Sequence, residues 1–462
     1  SHTAFYRYMG QEREAQPSII YSMRMRYNLY VSDDMSCVLW SAKVKRTSMY
    51  RKFVITVIAI LAIFFAASSE AEQKNYCIEC HKSLDGSAKE PADRYEGDVH
   101  FKRGLSCSDC HGGDPLKEDF TEAKDPAKGF IGKPKRNDIP KLCGRCHSDP
   151  AYMRRFNPNI QTDQLSKYDE SQHGKLNLSG DQKVAVCVSC HGVHGIREAN
   201  DPLAPVFITN IPRMCASCHA DKEYMKEYSV PTNQMEQYQV SVHGEALLKK
   251  GDRGAPACTG CHGSHDAALP SASAVGNVCA QCHSLTRDLF AKSPHKSAHD
   301  KLGIPECEAC HGNHKIMRAS DDMLGTKEGG LCIKCHMPDS KGYAAATLMK
   351  SSIESLKTDI KGAEDVIAHA EKLGMEVSDP KFSLDEAKNT LTKSRAYIHT
   401  FSKDKVEEIA NGGVVSALKA KDKGNKAIGE FHFRRKWLVV ALFIILLLAV
   451  ALYLKVREME KL

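Results

Sequence analysis

The readable pattern of apolar positions in this chain lies toward its two ends. Phe53 to Ala67 is an apolar stretch of 15 residues, interrupted only by Thr56, and short for a bilayer span. Trp437 to Leu454 is a second run, of 18 residues, about the minimum for a spanning helix. Ahead of it, Ile353, Leu356, Ile360, Ala363, Ile367 and Ala370 step by 3, 4, 3, 4 and 3, which is a heptad stripe. Leu384, Ala387, Leu391, Ser394, Ile398 and Phe401 repeat the stepping after a break that holds Pro380. Ser383-Leu-Asp-Glu386 reads as a capping box that opens the second helix. The pattern predicts an antiparallel helical hairpin or stalk over 346-430. A third helical stretch containing Gly412-Gly413 follows. The hairpin could pack on the domain of residues 72-345, on a partner, or on a sister subunit as a homo-oligomer.

Flanking charge gives the two apolar runs different meanings. Arg51 and Lys52 precede the first run and Ser69-Glu70-Ala71 follows it. Residues 49-71 therefore read as a secretory signal peptide starting at Met49. Residues 1-48, with Cys37, then read as an upstream extension absent from the mature protein. Arg434, Arg435 and Lys436 precede the second run, Lys455 and Arg457 follow it, and Trp437 and Tyr453 mark its edges, as interfacial aromatics do. Residues 431-462 are expected to be a transmembrane anchor with a short cytoplasmic tail. Together the signals predict a single-pass protein of the cytoplasmic membrane whose main domain faces the periplasm.

Between the ends, residues 72-345 show no apolar period but carry nine copies of Cys-x-x-Cys-His. The paired cysteines are Cys77 and Cys80, Cys107 and Cys110, Cys143 and Cys146, Cys187 and Cys190, Cys215 and Cys218, Cys258 and Cys261, Cys279 and Cys282, Cys307 and Cys310, and Cys332 and Cys335. They use all of the 19 cysteines except Cys37. Two thiols on one turn can form thioethers to haem vinyl groups, and the next histidine can bind the iron. A zinc knuckle or a redox dithiol is the other reading of a single Cys-x-x-Cys pair, but nine motifs, all followed by His, weigh against it, and a disulfide framework would not require a histidine after every second cysteine. The chain is thus expected to bind nine covalently bound c-type haems, with His81, His111, His147, His191, His219, His262, His283, His311 and His336 as proximal ligands.

A second iron ligand is needed unless water or substrate takes that position. An internal repeat supplies candidates. An aromatic-x-x-Ser/Asp-x-His element holds His100, His173, His243 and His295; a His-Gly-x-His element holds His194, His265 and His314. The first unit instead reads His111-Gly-Gly-Asp114. These seven are distal candidates, with His299, His369 and His399 as further ones; His2 and His432 are not expected to serve. The layout is one leading motif plus four two-motif units. The predicted fold is mainly α: short helices and long loops around the haems, then the hairpin and one C-terminal transmembrane helix.

Charge adds an exclusion. The formal net charge is +7, but residues 1-71 hold nine Lys and Arg against five Asp and Glu, and each haem brings two propionates. With no groove-reading motif, the chain is not read as a nucleic-acid binder.

Over roughly residues 72-345, the Cys-x-x-Cys-His, Ser-x-His-Gly and His-Gly-x-His residues resemble bacterial multihaem c-type cytochromes. The nearest likeness is to membrane-associated respiratory electron-transfer cytochromes of the cytochrome c3-like kind. That resemblance implies electron transport between a quinol-oxidising or b-type cytochrome membrane partner and other redox proteins. The layout is also similar to multihaem nitrite reductases and hydroxylamine oxidoreductases. The alternative it implies is oxidation or reduction of a small nitrogen or sulfur compound at an open-coordinate haem. No Cys-x-x-Cys-Lys motif occurs.

Overall fold

The computed structural model describes Thr56 and residues 74-271, 274-327 and 329-460. The chain divides into two compact units, Ser1-Lys74 and Asn75-Leu462. Of the first, only Thr56 and Lys74 are described, so the extension, most of the signal-like segment, Cys37 and His2 lie outside the described residues. Every regular element described is helical.

From Asn75 to about residue 340 the helices are short and each has a local cause. Asp149 and Asp221 cap the turns Pro150-Met153 and Lys222-Met225 by accepting backbone N–H bonds, which explains the repeated Asp-x-x-Tyr-Met. Pro140 and Pro212 sit in the first turns of Ile139-His147 and Ile211-His219, where a missing N–H costs nothing. Tyr168 Oη donates to Ala185 O at 3.0 Å and Tyr238 Oη to Pro256 O at 2.8 Å. Tyr95 makes the same bond to Leu105. Each accepting carbonyl lies two residues before a Cys-x-x-Cys-His motif, so the aromatic of the repeat fastens the entry to that motif.

Successive units also clip together. Val99 N donates to Ile196 O (2.7 Å), Gln172 N to Ala267 O (3.1 Å) and Val242 N to Ile316 O (2.8 Å). In every case the residue before one unit's patterned histidine bonds the next unit, two residues after its His-Gly-x-His. The fourth unit has Pro294 at this position, which has no N–H to donate. The clipping stops where the repeat stops, as in a one-dimensional array.

A helical bundle follows. Its helices are Lys341-Lys372, Ser378-Tyr397 and Lys403-Met459. The predicted stripe on the first is buried throughout and extends back to Ala346 and Met349. On the second, Leu384, Ala387 and Ser394 are buried and Leu391 is half-buried. The expected hairpin is completed by the third helix, which lies along both. Val406, Ala410, Gly413, Ala417, Ala420 and Gly424 face inward on it, stepping by 4, 3, 4, 3 and 4. A Cβ on Gly413 would come within 2.9 Å of Leu356 Cδ1, and one on Gly424 within 2.8 Å of Val366 Cγ1, so small residues set the approach. Those contacts pair rising numbers with rising numbers: the bundle runs up, down, up.

Two sequence expectations change. The second helix opens at Ser378, not at Ser383; Ser383 is buried inside it, and Lys423 Nζ donates to its hydroxyl at 3.3 Å. Pro380 does not end the helical path, because it falls in the first turn. The division between stalk and anchor at 430/431 lies within one unbroken helix. This helix is long and apolar enough to cross a membrane, and its most apolar window, of mean hydropathy 3.0, is wholly unburied. From Lys403 to Trp437, at 1.5 Å per residue, it extends about 50 Å.

Candidate haem-binding sites

The motif turns present two cysteines and a histidine on helices such as Cys107-His111, Cys187-His191 and Cys258-His262. The glycine after the histidine has φ of 70°, 84°, 82° and 74° at Gly112, Gly192, Gly263 and Gly312, which favours glycine. At Gly112 a Cβ would strike Gly129 O at 2.0 Å. This glycine opens the turn toward the residue three beyond the motif histidine in all four units; in the first, Gly113 has a positive φ, of 81°, as well.

Eight of the nine motif histidines face another histidine. The ring centroids are 6.0 Å apart for His147 and His100, 6.3 Å for His111 and His194, and 6.1 Å for His219 and His173. They are 6.1 Å for His191 and His265, 6.4 Å for His283 and His243, and 5.8 Å for His262 and His314. They are 5.9 Å for His336 and His295 and 6.1 Å for His311 and His399. A metal–nitrogen bond of about 2 Å on each side, with each ring centre about 1 Å behind its nitrogen, gives centroids about 6 Å apart. The spacing therefore fits an iron between each pair.

The pairing follows a rule. Each aromatic-x-x-Ser/Asp-x-His histidine faces the second motif of its own unit. Each His-Gly-x-His histidine faces the first motif of the preceding unit. The fourth unit has no successor, and His399 faces its first motif from the turn between the second and third bundle helices.

Electrostatics suit neutral ligands. Burial, and then the facing ring, lowers the pKa of His147, His173, His191, His194, His243, His295, His311 and His314. Several Nδ1 atoms donate to carbonyls: His81 to Ala88 O (2.7 Å), His111 to Gly132 O (2.8 Å), His262 to Ala268 O (3.1 Å) and His399 to Ala396 O (3.0 Å). A carbonyl can only accept, so Nε2 is left with its lone pair for a metal. His100 Nδ1 instead lies 2.9 Å from Asp98 Oδ1. Burial pushes the Asp98 carboxyl up, but bonds from His100 and Ile196 outweigh it and the net shift is downward.

His299 and His369 are not brought to a motif histidine. His299 Nδ1 lies 3.2 Å from Pro305 O, two residues before Cys307. The other units use a tyrosine hydroxyl on that carbonyl; here Phe290 has none, and its ring touches His299 at 5.4 Å. His299 thus substitutes for the hydroxyl, which the Phe290 of the repeat could have signalled. His369 is exposed near the end of the first bundle helix away from the haem region, and His432 is exposed on the third. Among the described residues no histidine faces His81.

Consecutive motifs are neighbours. Cys77 acts on Cys107, Cys143 and Cys146 on Cys110, and Cys218 on Cys190. Cys279 and Cys282 act on Cys261, and Cys332 and Cys335 on Cys310. The free thiols of Cys143 and Cys187, Cys215 and Cys258, and Cys279 and Cys307 lie side by side. The nine motifs stand in single file, in chain order. Cys332 packs at the bundle end, among Leu324, Met349, Ile353 and Val406.

The sequence model of the cytochrome c3 family matches residues 99-220, a stretch holding the motifs at Cys107, Cys143, Cys187 and Cys215. No curated protein and no solved structure matches the chain significantly. The family match and the motif geometry agree on the class: a multihaem electron-transfer cytochrome with covalently bound c-type haem.

Proposed function

We propose that the chain is a membrane-anchored, periplasmic nonahaem cytochrome that carries electrons in an anaerobic-type respiratory chain. Haem, when bound, supplies the one-electron chemistry. The observation that carries the reading is the set of eight facing histidine pairs on motifs in unbroken chain order. Paired histidines hold iron geometry in both oxidation states and favour low potentials. In this reading residues 72-345 are the nonahaem domain, 346-430 the stalk and 431-462 the anchor, with 49-71 removed on export.

The donor is a quinol-oxidising or b-type membrane partner, and the acceptor is a soluble or downstream redox protein. The apolar window contains no histidine, so this helix cannot hold a b-type haem of its own. The turn that carries His399 lies about 50 Å from Trp437 along the third helix. The partner is therefore expected to rise beside the stalk.

Purification in mild detergent should yield a complex with a second membrane subunit, and a quinol analogue should reduce all nine haems in membranes. A lone subunit that quinol cannot reduce would overturn the reading.

A further inference from the structure

The leading motif departs from the pairing rule, and the rule says why. His194, His265 and His314 each reach back from a His-Gly-x-His to the first motif of the unit before. The residue in that position of the first unit is Asp114, and the motif before it is the leading one, at Cys77. The turn opens alike, with Gly112 at φ 70°, but Gly113 also takes a positive φ, of 81°, where Val193, Ser264 and Asn313 do not. The two segments also meet: Tyr76 N donates to Pro115 O at 2.9 Å, and Asp114 is among the charges acting on Cys77. Asp114 is not free to swing as a strong ligand, since Lys128 Nζ lies 2.8 Å from its Oδ2 and its Oδ1 accepts Leu116 N at 3.0 Å.

We propose that Asp114 takes the place of a distal histidine at the leading motif. The haem held by Cys77, Cys80 and His81 then keeps an iron position open to a small anion of nitrite or cyanide size. The anion class follows from the surroundings: Lys128 neutralises Asp114, and Asp114 N donates to Ala123 O at 2.9 Å, which brings the positive charge of Lys124 beside the site. The site stands at the end of the file opposite the bundle, where an external ligand would meet the last haem of the series. The proposal rests on the reading of the eight facing pairs as closed haems.

The test is spectroscopic and uses the full holoprotein in mild detergent. Electron paramagnetic resonance should find one high-spin ferric haem in nine. Cyanide and nitrite should each bind one haem in nine, and carbon monoxide should bind one in nine after reduction. Asp114→His should remove the high-spin signal and all three binding events; Asp114→Ala should keep them. His194→Asp should raise the open haems to two in nine, and it tests the rule even where Asp114→His fails to fold. Nine low-spin haems that bind nothing would overturn the proposal, as would an Asp114→His holoprotein that still binds. Binding of carbon monoxide alone would overturn the anion class. Reduction of all nine haems by quinol is read separately, so failure here leaves the electron-transfer reading standing.

Discussion

In the bundle, fifteen apolar residues between Ala346 and Ala420 are buried, with Ile353, Leu356 and Ala363 fully so; between Asn75 and residue 340, a region about three times longer, only twelve are buried. The bundle can offset its conformational entropy with its own side chains. The haem region cannot, and its turns are held by caps, carbonyl bonds and clips between units. Covalently bound haem would supply the apolar surface that its side chains lack. One half of the molecule is specified by a stripe of side chains and the other by where cofactors are tied.

The largest break of this comparison is removal of the cofactors. With haem attachment blocked, residues 75-340 should lose hydrogen-exchange protection throughout, while residues 341-427 keep theirs. Equal protection in both halves would erase the distinction.

A smaller break tests the bundle alone. Leu356→Ala should cost about 2–5 kcal/mol, read as a lowered urea midpoint for helicity. The haem absorption bands should not move, because Leu356 lies among Ile360, Ala410 and other bundle residues. A shift of those bands would mean that the halves are not independent.

The smallest effect sharpens the joint between them. Asp321 binds Arg395 of the second bundle helix through two bonds, of 2.8 and 2.7 Å, and Lys357 of the first at 2.8 Å. Asp321→Asn should cost about 1–2 kcal/mol after discounting for the half-exposed cations. Arg395 first, then Lys357, holds the Asp321 carboxyl below its usual range against burial, which pushes it up. A depressed carboxylate stabilises fully above its unfolded pKa of about 3.9 and loses that contribution as pH falls through the lower folded value. Proteolysis near residues 320-340 should therefore rise below about pH 4 in the native protein. In Asp321→Asn it should already be raised at neutral pH and show no such step.

The helical class and the first bundle stripe could be read from spacing alone, since a 3-and-4 step permits one buried face. The third helix carried a comparable signal in Val406, Ala410, Gly413, Ala417, Ala420 and Gly424, but small residues look like weak apolar positions until a neighbour is known to approach closely. Ser383 failed as a cap for a related reason. Its spacing to Glu386 is correct, yet burial against the third helix made that serine an interior residue.

His299 and His399 show the limit for the site. Both are histidines outside the repeat elements, and the one local hint is Phe290, which stands where the other units have a tyrosine. Only the fold puts His399 opposite His311 and gives His299 the carbonyl that Phe290 cannot bond.

The sequence by itself determined the cysteine pairs, the adjacent histidines and the repeat, because a motif on one turn is fixed by covalent geometry. The tertiary structure alone decided which histidine faces which motif and the single file of the motifs. Half of these pairs cross from one unit to the next or come from the bundle, and no spacing within a unit records them.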